Sequence, residues 1–313
     1  MSQLLTFRVA TRDDAPQILA LFNEAFRTQT DSGTWEWYAH GNPYGASRVY
    51  LALDQEDHNA AGAFVCTPLR LTINGAPVQA SSAHHLVLKP AYQGGPAFVG
   101  LSRHTLEGES REGMKLVIGV PNSKSYRPHK VLMKWTDFGA MDMLFKLSPQ
   151  QRPHSCVEAP SFSEDEFHRR VGRTLNFCLE KTAEWLNWRF CRRPGNPYTI
   201  YDIRDGGELA GYVVLKRWQD ADGYRKAHIM DLHALNPAAL SQLIAAAESY
   251  AVGANELNLW AMCGYPYRAA LETMGFVPRP SSRQPLIARV FDASIEFPAG
   301  NASLTYGDPD YQY

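Results

Sequence analysis

Ile18, Leu21, Phe22, Ala25 and Phe26 recur at spacings of three and four, which lines one face of a helix. That helix opens at Asp14 and carries Pro16 in its first turn, where a missing N–H is tolerated. Thr6 to Ala10 reads as a strand before it. Arg48–Leu53 (RVYLAL) and Ala63–Ile73 read as strands after it, joined by the polar stretch Asp54–Ala60. Asn74-Gly75 predicts a tight hairpin, because a type I′ turn needs two residues tolerant of positive φ. Pro77–Ala80 pairs back and His84–Leu88 continues as the next strand. A loop follows at Lys89–Gly95, then a helix from Pro96 to about Glu109. Lys115–Val120 (KLVIGV) is unbroken apolar sequence, the pattern of a strand buried on both faces.

The later part of the chain repeats much of this order. Tyr198–Ile203, Leu209–Leu215 and His228–His233 read as strands. Leu240, Leu243, Ile244, Ala247 and Ala251 mark an amphipathic helix. Glu256–Met262 reads as a strand, and Tyr267–Met274 as a helix stopped at Gly275. The expected class is α/β, with a mixed, mostly antiparallel central sheet flanked by helices in each half.

Short matches recur in the same order in both halves. Gly41-Asn42-Pro43-Tyr44 returns as Gly195-Asn196-Pro197-Tyr198, an offset of 154 (195 − 41), each after a tryptophan pair. Ala61-Gly62-Ala63-Phe64-Val65 matches Ala210-Gly211-Tyr212-Val213-Val214, an offset of 149 (210 − 61). Ala83–Leu88 matches Ala227–Leu232, an offset of 144 (227 − 83). Three ordered matches with drifting offsets point to a duplication with small deletions. The stretch 148–165 (SPQQRPHSCVEAPSFSED) has linker composition. The boundary is set near residue 155, giving domains 1–150 and 151–313.

Charge narrows the partners. With 31 basic and 32 acidic residues the net charge is −1, which supplies no field for nucleic acid or a membrane surface. Five cysteines without a CxxC pair make a zinc site or a disulfide framework unexpected. They fit a reducing cytoplasm. The N-terminal stretch lacks the apolar core of a signal peptide, and no run approaches the roughly 20 apolar residues of a membrane helix.

The segment Leu86-Val87-Leu88-Lys89-Pro90-Ala91-Tyr92-Gln93-Gly94-Gly95-Pro96-Ala97-Phe98 resembles the acyl-CoA pyrophosphate loop of the GNAT superfamily. There a strand runs into a loop of form [RQ]-x-x-G-x-[GA] that opens a helix. Arg12-x-Asp14 and Pro121-Asn122 resemble the same family, and the likeness covers most of residues 5–145. The chemistry is that of a helix N-terminus, whose unpaired N–H groups and dipole suit a pyrophosphate. Gln93 fits the first position, while Pro96 and Phe98 replace the usual small residues, and Pro96 removes one donor. Gly94, Gly95, Ala97 and Phe98 are expected to donate instead. A glycine-rich turn with no ligand is the alternative. The matching region of the second half, HALNPAALSQL, has no glycine before its helix and is expected not to bind CoA.

The resemblance implies acetyl-CoA or another acyl-CoA as cofactor, with Leu86, Val87, Leu88 and Asn122 beside its pantetheine arm. Transfer to an amine needs a base near neutral pKa, and His84 and His85 are the candidates. Strand alternation lets at most one of them face a substrate. His84 matches His228 in the half without a loop, whereas His85 matches Ile229, so His85 is preferred. Tyr126 is the candidate acid, by family likeness. Trp35, Trp37 and Tyr38 are candidate substrate contacts, with a core role for the tryptophans as the alternative. No metal is expected. The reading is an acyltransferase acting on a small-molecule amine near the junction of the halves, with a homodimer left open. The alternatives are a non-catalytic binding or regulatory protein and an aminoacyl-tRNA-dependent transferase. The tail from Tyr306 to Tyr313 is expected to be polar and mobile.

Overall fold

A computed structural model describes residues 5–163, 165–296 and 300–308. In chain order the elements begin with β1 (Leu5–Val9), α1 (Ala15–Phe26), α2 (Ser32–His40), β2 (Arg48–Asp54), β3 (Ala60–Ile73) and β4 (Ala76–Leu88). Next come α3 (Gly95–Arg111), β5 (Leu116–Gly119), α4 (Ser123–Met133), β6 (Thr136–Leu147), β7 (Val157–Glu158), α5 (Asp165–Gly172), β8 (Phe177–Leu179) and α6 (Ala183–Leu186). The remainder are β9 (Tyr198–Asp205), β10 (Glu208–Gln219), β11 (Arg225–Ala234), α7 (Pro237–Tyr250), β12 (Glu256–Met262), α8 (Arg268–Thr273), β13 (Val277–Pro278), β14 (Gln284–Val290) and β15 (Ala302–Ser303).

The chain forms two compact units that interleave in sequence. One comprises Met1–Arg70, Val78–Phe138 and Pro285–Glu296; the other comprises Leu71–Pro77, Gly139–Gln284 and Phe297–Tyr313. Most of β6 therefore lies with the second unit, and most of β14 with the first.

The first unit orders its strands β1-β2-β3-β4-β5-β14. Neighbours run antiparallel where β1 meets β2, β2 meets β3 and β5 meets β14, and parallel where β4 meets β5. Alternation along the strands builds two apolar layers. Val49, Leu51, Leu53, Ala63 and Val65 pack with Ile18, Leu21, Phe22, Trp35 and Tyr38 from α1 and α2. Tyr50, Ala52, Phe64 and Cys66 pack on the other face with Leu101 and Leu106 of α3. Helices on both faces explain why β2 and β3 read as nearly continuous apolar sequence. Asn74 and Gly75 both adopt positive φ (50° and 79°), as the hairpin requires.

The inner end of α3 is held by charge. Glu109 is fully buried and accepts from Arg48 Nε (2.7 Å), Arg48 Nη2 (2.5 Å), the Tyr50 hydroxyl (2.8 Å) and the Ser81 hydroxyl. Burial beside this carboxylate pushes the Tyr50 hydroxyl far up. Gly108 sits directly on Tyr50, where a Cβ would lie 2.4 Å from the ring.

The second unit orders its strands β6-β12-β11-β10-β9-β7, with β11 and β12 parallel. Its core is built by α7 and the strands beneath it, from Leu240, Leu243 and Ile244 to Val213, Leu215, Leu257 and Leu259. Within the linker-like stretch, Val157 and Glu158 form a short edge strand against Asp202 and Tyr201.

Local features recur in the two units at the repeated sequence positions. Asn42 and Asn196 each accept from the backbone N–H two residues on, at 3.1 and 2.9 Å. Gly62 and Gly211 each lie under a strand carbonyl, that of Val87 or His233, which a Cβ would meet at 2.6 or 2.8 Å.

The expectation of a mobile tail is corrected for residues 306–308. Tyr306 and Asp308 are buried. The Gly307 N–H donates to the Met230 carbonyl (2.9 Å), and its carbonyl accepts from Arg189 Nε (2.9 Å). Asp308 pairs with buried Lys181 at 2.8 Å, which draws a polar segment inward. The rest of that expectation, 309–313, lies outside the described residues.

Candidate functional site

In the first unit, β4 and β5 pair only from Ala80–Leu116 to Ala83–Gly119. β4 then runs on to Leu88 while β5 has ended, so the two strands part. Leu86, Val87 and Leu88 lie on this continuation, past the end of β5. The Val87 side chain enters the α1–α2 layer, and Leu86 and Leu88 enter the α3 layer. The Lys89 N–H donates to the Ala61 carbonyl (2.8 Å), which holds the start of the loop.

Pro90–Tyr92 forms a 3-10 turn. The Tyr92 hydroxyl donates to Asp54 at the end of β2 (2.6 Å), and Gln93 Nε2 donates to the Leu88 carbonyl (3.2 Å). The Asp54 carboxylate pushes the Tyr92 hydroxyl up to about 12, and the same bond lowers Asp54. Gly94 follows with φ 152°, a conformation that favours glycine, and α3 begins at Gly95. No side chain caps this helix.

Two details differ from the expectation. Pro96 occupies the second helical position, and the Phe98 N–H already donates to the Gly94 carbonyl (3.2 Å). The helix therefore leaves the N–H groups of Gly94, Gly95 and Ala97 facing the loop. The Phe98 ring packs edge-on to His129 at 5.3 Å, inside the α3 layer.

The histidines also depart from expectation. His85 adopts φ 50°, which breaks the alternation of β4. His84 and His85 therefore do not point apart: their Nδ1 atoms lie 2.8 Å from each other. The Tyr38 hydroxyl lies 2.5 Å from His84 Nδ1, 2.9 Å from His84 Nε2 and 3.3 Å from His85 Nδ1. Thr67 Oγ1 lies 2.8 Å from His84 Nε2, and Ser47 Oγ lies 2.8 Å from Thr67. The His85 ring stacks on Phe22 (5.3 Å) and meets Phe26 edge-on (5.3 Å). Burial and the neighbouring His85 push His84 well below the ordinary imidazole range, so His84 is neutral at pH 7.

Two proton orders satisfy this chain. In one, His85 Nδ1–H donates to Tyr38, Tyr38 donates to His84 Nδ1, and His84 Nε2–H donates to Thr67. That order leaves a lone pair on His85 Nε2. Tyr38, read from sequence as a substrate contact, is thus a partner of both histidines, while Trp35 is core and Trp37 is half-buried against it.

Asn122 caps α4, its side chain accepting from the N–H groups of Lys124 and Ser125 at 3.0 Å each. Tyr126, one turn on, donates to Asp137 (2.7 Å), which also holds Lys130. A separate cavity of about 540 Å³ in this unit lies at the far end of α3, lined by residues including Arg103, Glu107 and Arg111, and contains none of the predicted site residues.

Residues 6–128 match the family described as acetyltransferase (GNAT) domain. This part of the chain is similar to GNAT acetyltransferase domains. The β4–β5 parting, the loop and α3 all fall within it. The whole chain is similar in fold to a probable N-acyltransferase from Enterococcus faecalis V583, at 13% identity and TM-score 0.70, over 92% of this chain and 73% of that one. A GCN5-related N-acetyltransferase from Anabaena variabilis ATCC 29413 gives 15% identity, the same TM-score and the same coverage. Saccharomyces cerevisiae N-myristoyltransferase, with bound myristoyl-CoA, gives 9% identity and TM-score 0.64, over 92% of this chain and 80% of that one. No curated protein matches the chain. The fold is that of the GNAT acyltransferases. Among the described residues, no helix is long and apolar enough to cross a membrane.

Proposed function

We propose that the protein transfers an acyl group, acetyl in the simplest case, from acyl-CoA to a primary amine of a small metabolite, amino acid or amino sugar. The observation that carries this reading is the conjunction, within residues 6–128, of parted strands, a glycine-led helix start whose first N–H groups lack intrahelical partners, and a buried, neutral His84 joined to Tyr38 and His85 on the same strand. The pyrophosphate would sit on the N–H groups of Gly94, Gly95 and Ala97. The pantetheine arm would run along the open edge of β4 at Leu86–Leu88, past Asn122. Residues 151–313 are, in this reading, a degenerate second copy that binds no CoA. The protein would work in the cytoplasm, where its cysteines stay reduced.

His85 would take a proton from the incoming ammonium through Nε2, with Tyr38 and His84 fixing its tautomer. The amine nitrogen then attacks the thioester carbonyl, and the tetrahedral intermediate collapses. The new C–N bond is kept, the C–S bond breaks, the nitrogen sheds its second proton to give the neutral amide, and the departing thiolate takes up one proton, so the net release is the single proton held by His85. Tyr126 can supply the thiolate's proton only by giving up Asp137. The test is thiol release from acetyl-CoA across an amine panel, with His85→Gln beside the wild type. Turnover on an amine that falls about 100-fold or more in the variant supports the assignment. Turnover unchanged in the variant removes His85 from the chemistry. Binding of acyl-CoA with no turnover on any amine favours the non-catalytic alternative.

A further inference from the structure

The cavity at the far end of α3, of about 540 Å³, takes no part in the acyl-CoA reading. Four cations line it: Arg103 and Arg111 from α3, Lys134 just after α4, and Arg289 from β14. The lining holds one carboxylate, that of Glu107. Among the described residues no carboxylate pairs with any of the four cations. Arg111 Nε donates to the Glu107 backbone carbonyl and Arg289 Nη1 to the Lys134 carbonyl, each at 3.3 Å. The acidic side chains next to the lining in sequence are engaged elsewhere, Asp292 with Lys115 (3.2 Å) and Glu109 with Arg48, and Glu112 stays outside the lining.

Part of this charge has a local cause. Arg111 stands in the last turn of α3 and Lys134 caps the end of α4, where a cation answers the negative end of a helix dipole. Arg103 lies in the middle of α3 and Arg289 on a strand, so neither has that role. Glu107 and the roughly half negative charge at each helix end together answer about half of the four cations, leaving about two positive charges unanswered. Arg289 is half-buried, and its bond to the Lys134 carbonyl fixes the guanidinium while its other N–H groups remain for an anion. The rest of the wall is apolar. Leu106 and Met133 are buried, Phe291 is half-buried, and Leu132 is 49% exposed, which offers area that an apolar body would remove from water.

We infer that this cavity binds a small phosphate monoester carried on an apolar body, with the phosphate at Arg103 and Arg289 and the body against Leu132, Met133 and Phe291. Guanidinium groups hold phosphate oxygens through paired, parallel hydrogen bonds. A dianion matches the unanswered charge, a single carboxylate would leave half of it, and a cation would be repelled. The volume fits a ligand of this size. Arg103 lies about 12 Å along α3 from Gly95 and Arg111 about 24 Å. The site needs nothing from the loop at residues 93–98, so it stands or falls apart from the acyl-CoA reading.

The experiment is calorimetry on the full chain with phenyl phosphate, at a pH above about 7 where the monoester is dianionic. Inorganic phosphate, which lacks the apolar body, and phenol, which lacks the charge, are the controls. Saturable binding of phenyl phosphate is expected, about tenfold or more tighter than either control. Arg103→Gln and Arg289→Gln should each weaken it about tenfold. Leu132→Ser, an exposed substitution, should weaken phenyl phosphate and leave inorganic phosphate unchanged. Gly94→Glu should keep the binding, which separates this site from the start of α3. No binding of phenyl phosphate by the wild type, phenol bound as tightly, or binding that Gly94→Glu removes and the two arginine variants retain would overturn the proposal.

Discussion

Replacing Glu109 by alanine removes the acceptor for Arg48, Tyr50 and Ser81 at once. Glu109 is wholly buried, and the Arg48 side chain keeps only 18% exposure. A buried ion pair broken from one side leaves an uncompensated charge, and the expected loss of stability is about 3–5 kcal/mol. The lower part of that range applies if Arg48 uses its exposure to reach water, because the Tyr50 hydroxyl and the Ser81 contact (3.2 Å) cannot replace a carboxylate. The pair taken together contributes far less, since its desolvation offsets its attraction. Arg48→Met/Glu109→Met should therefore lie within about 2 kcal/mol of wild type, so the two single costs must not add. Urea denaturation followed by tryptophan fluorescence, with the slope checked for constancy, reads both numbers. A Glu109→Ala cost under about 1 kcal/mol, or a double variant as damaged as the sum of its singles, would refute this account of how α3 is anchored.

Tyr38→Phe should lower kcat more than it raises KM, because it removes the hydroxyl that orders both imidazoles and leaves the His84–Thr67 bond in place. Steady-state kinetics on an accepted amine would show this, and an unchanged kcat would argue against the proton chain. Lys181→Met should cost about 3–5 kcal/mol in urea denaturation, because it leaves Asp231 and Asp308 buried without their cation; near-wild-type stability would mean the tail is not pinned there. Stability should also fall with acidity. Burial depresses His228 to about 4 and His233 to about 3, below the unfolded value of about 6.5, so the unfolded chain binds more protons in that window and folding weakens as pH drops below about 6.5. Each such histidine contributes a loss on the order of 2 kcal/mol by pH 5, and a flat stability profile from pH 7 to 5 would contradict their burial in neutral form.

Much of the first unit was legible because its signals are local. The Asn74-Gly75 turn needs only the φ tolerance of two residues, and both take positive φ. The glycine before α3 marks a positive φ, and the repeated Gly62 and Gly211 announce close backbone approach through the absence of a side chain. The pairing of β14 with β5 was not legible, since a seven-residue strand gives no sign that its partner lies about 170 positions earlier. The alternation rule failed at His84 and His85 because His85 carries a positive φ that no glycine or asparagine advertises. The paired histidines themselves were the visible signal, but their shared partner Tyr38 comes from α2, which the periodicity did not reveal. Asp308 misled in the opposite direction: a polar residue near a chain end reads as solvated, and only buried Lys181, remote in sequence, draws it inward.

The central claim is that the start of α3 holds the pyrophosphate of an acyl-CoA. Calorimetry of acetyl-CoA into the wild type and into Gly94→Glu tests it most directly, with circular dichroism to confirm that both fold. The variant forces a side chain onto φ 152° and sets a negative charge where the phosphates would lie. The account predicts saturable one-site binding to the wild type and its loss in the variant. Equal binding by both proteins, or none by a folded wild type to acetyl-CoA and longer acyl-CoAs, would contradict it.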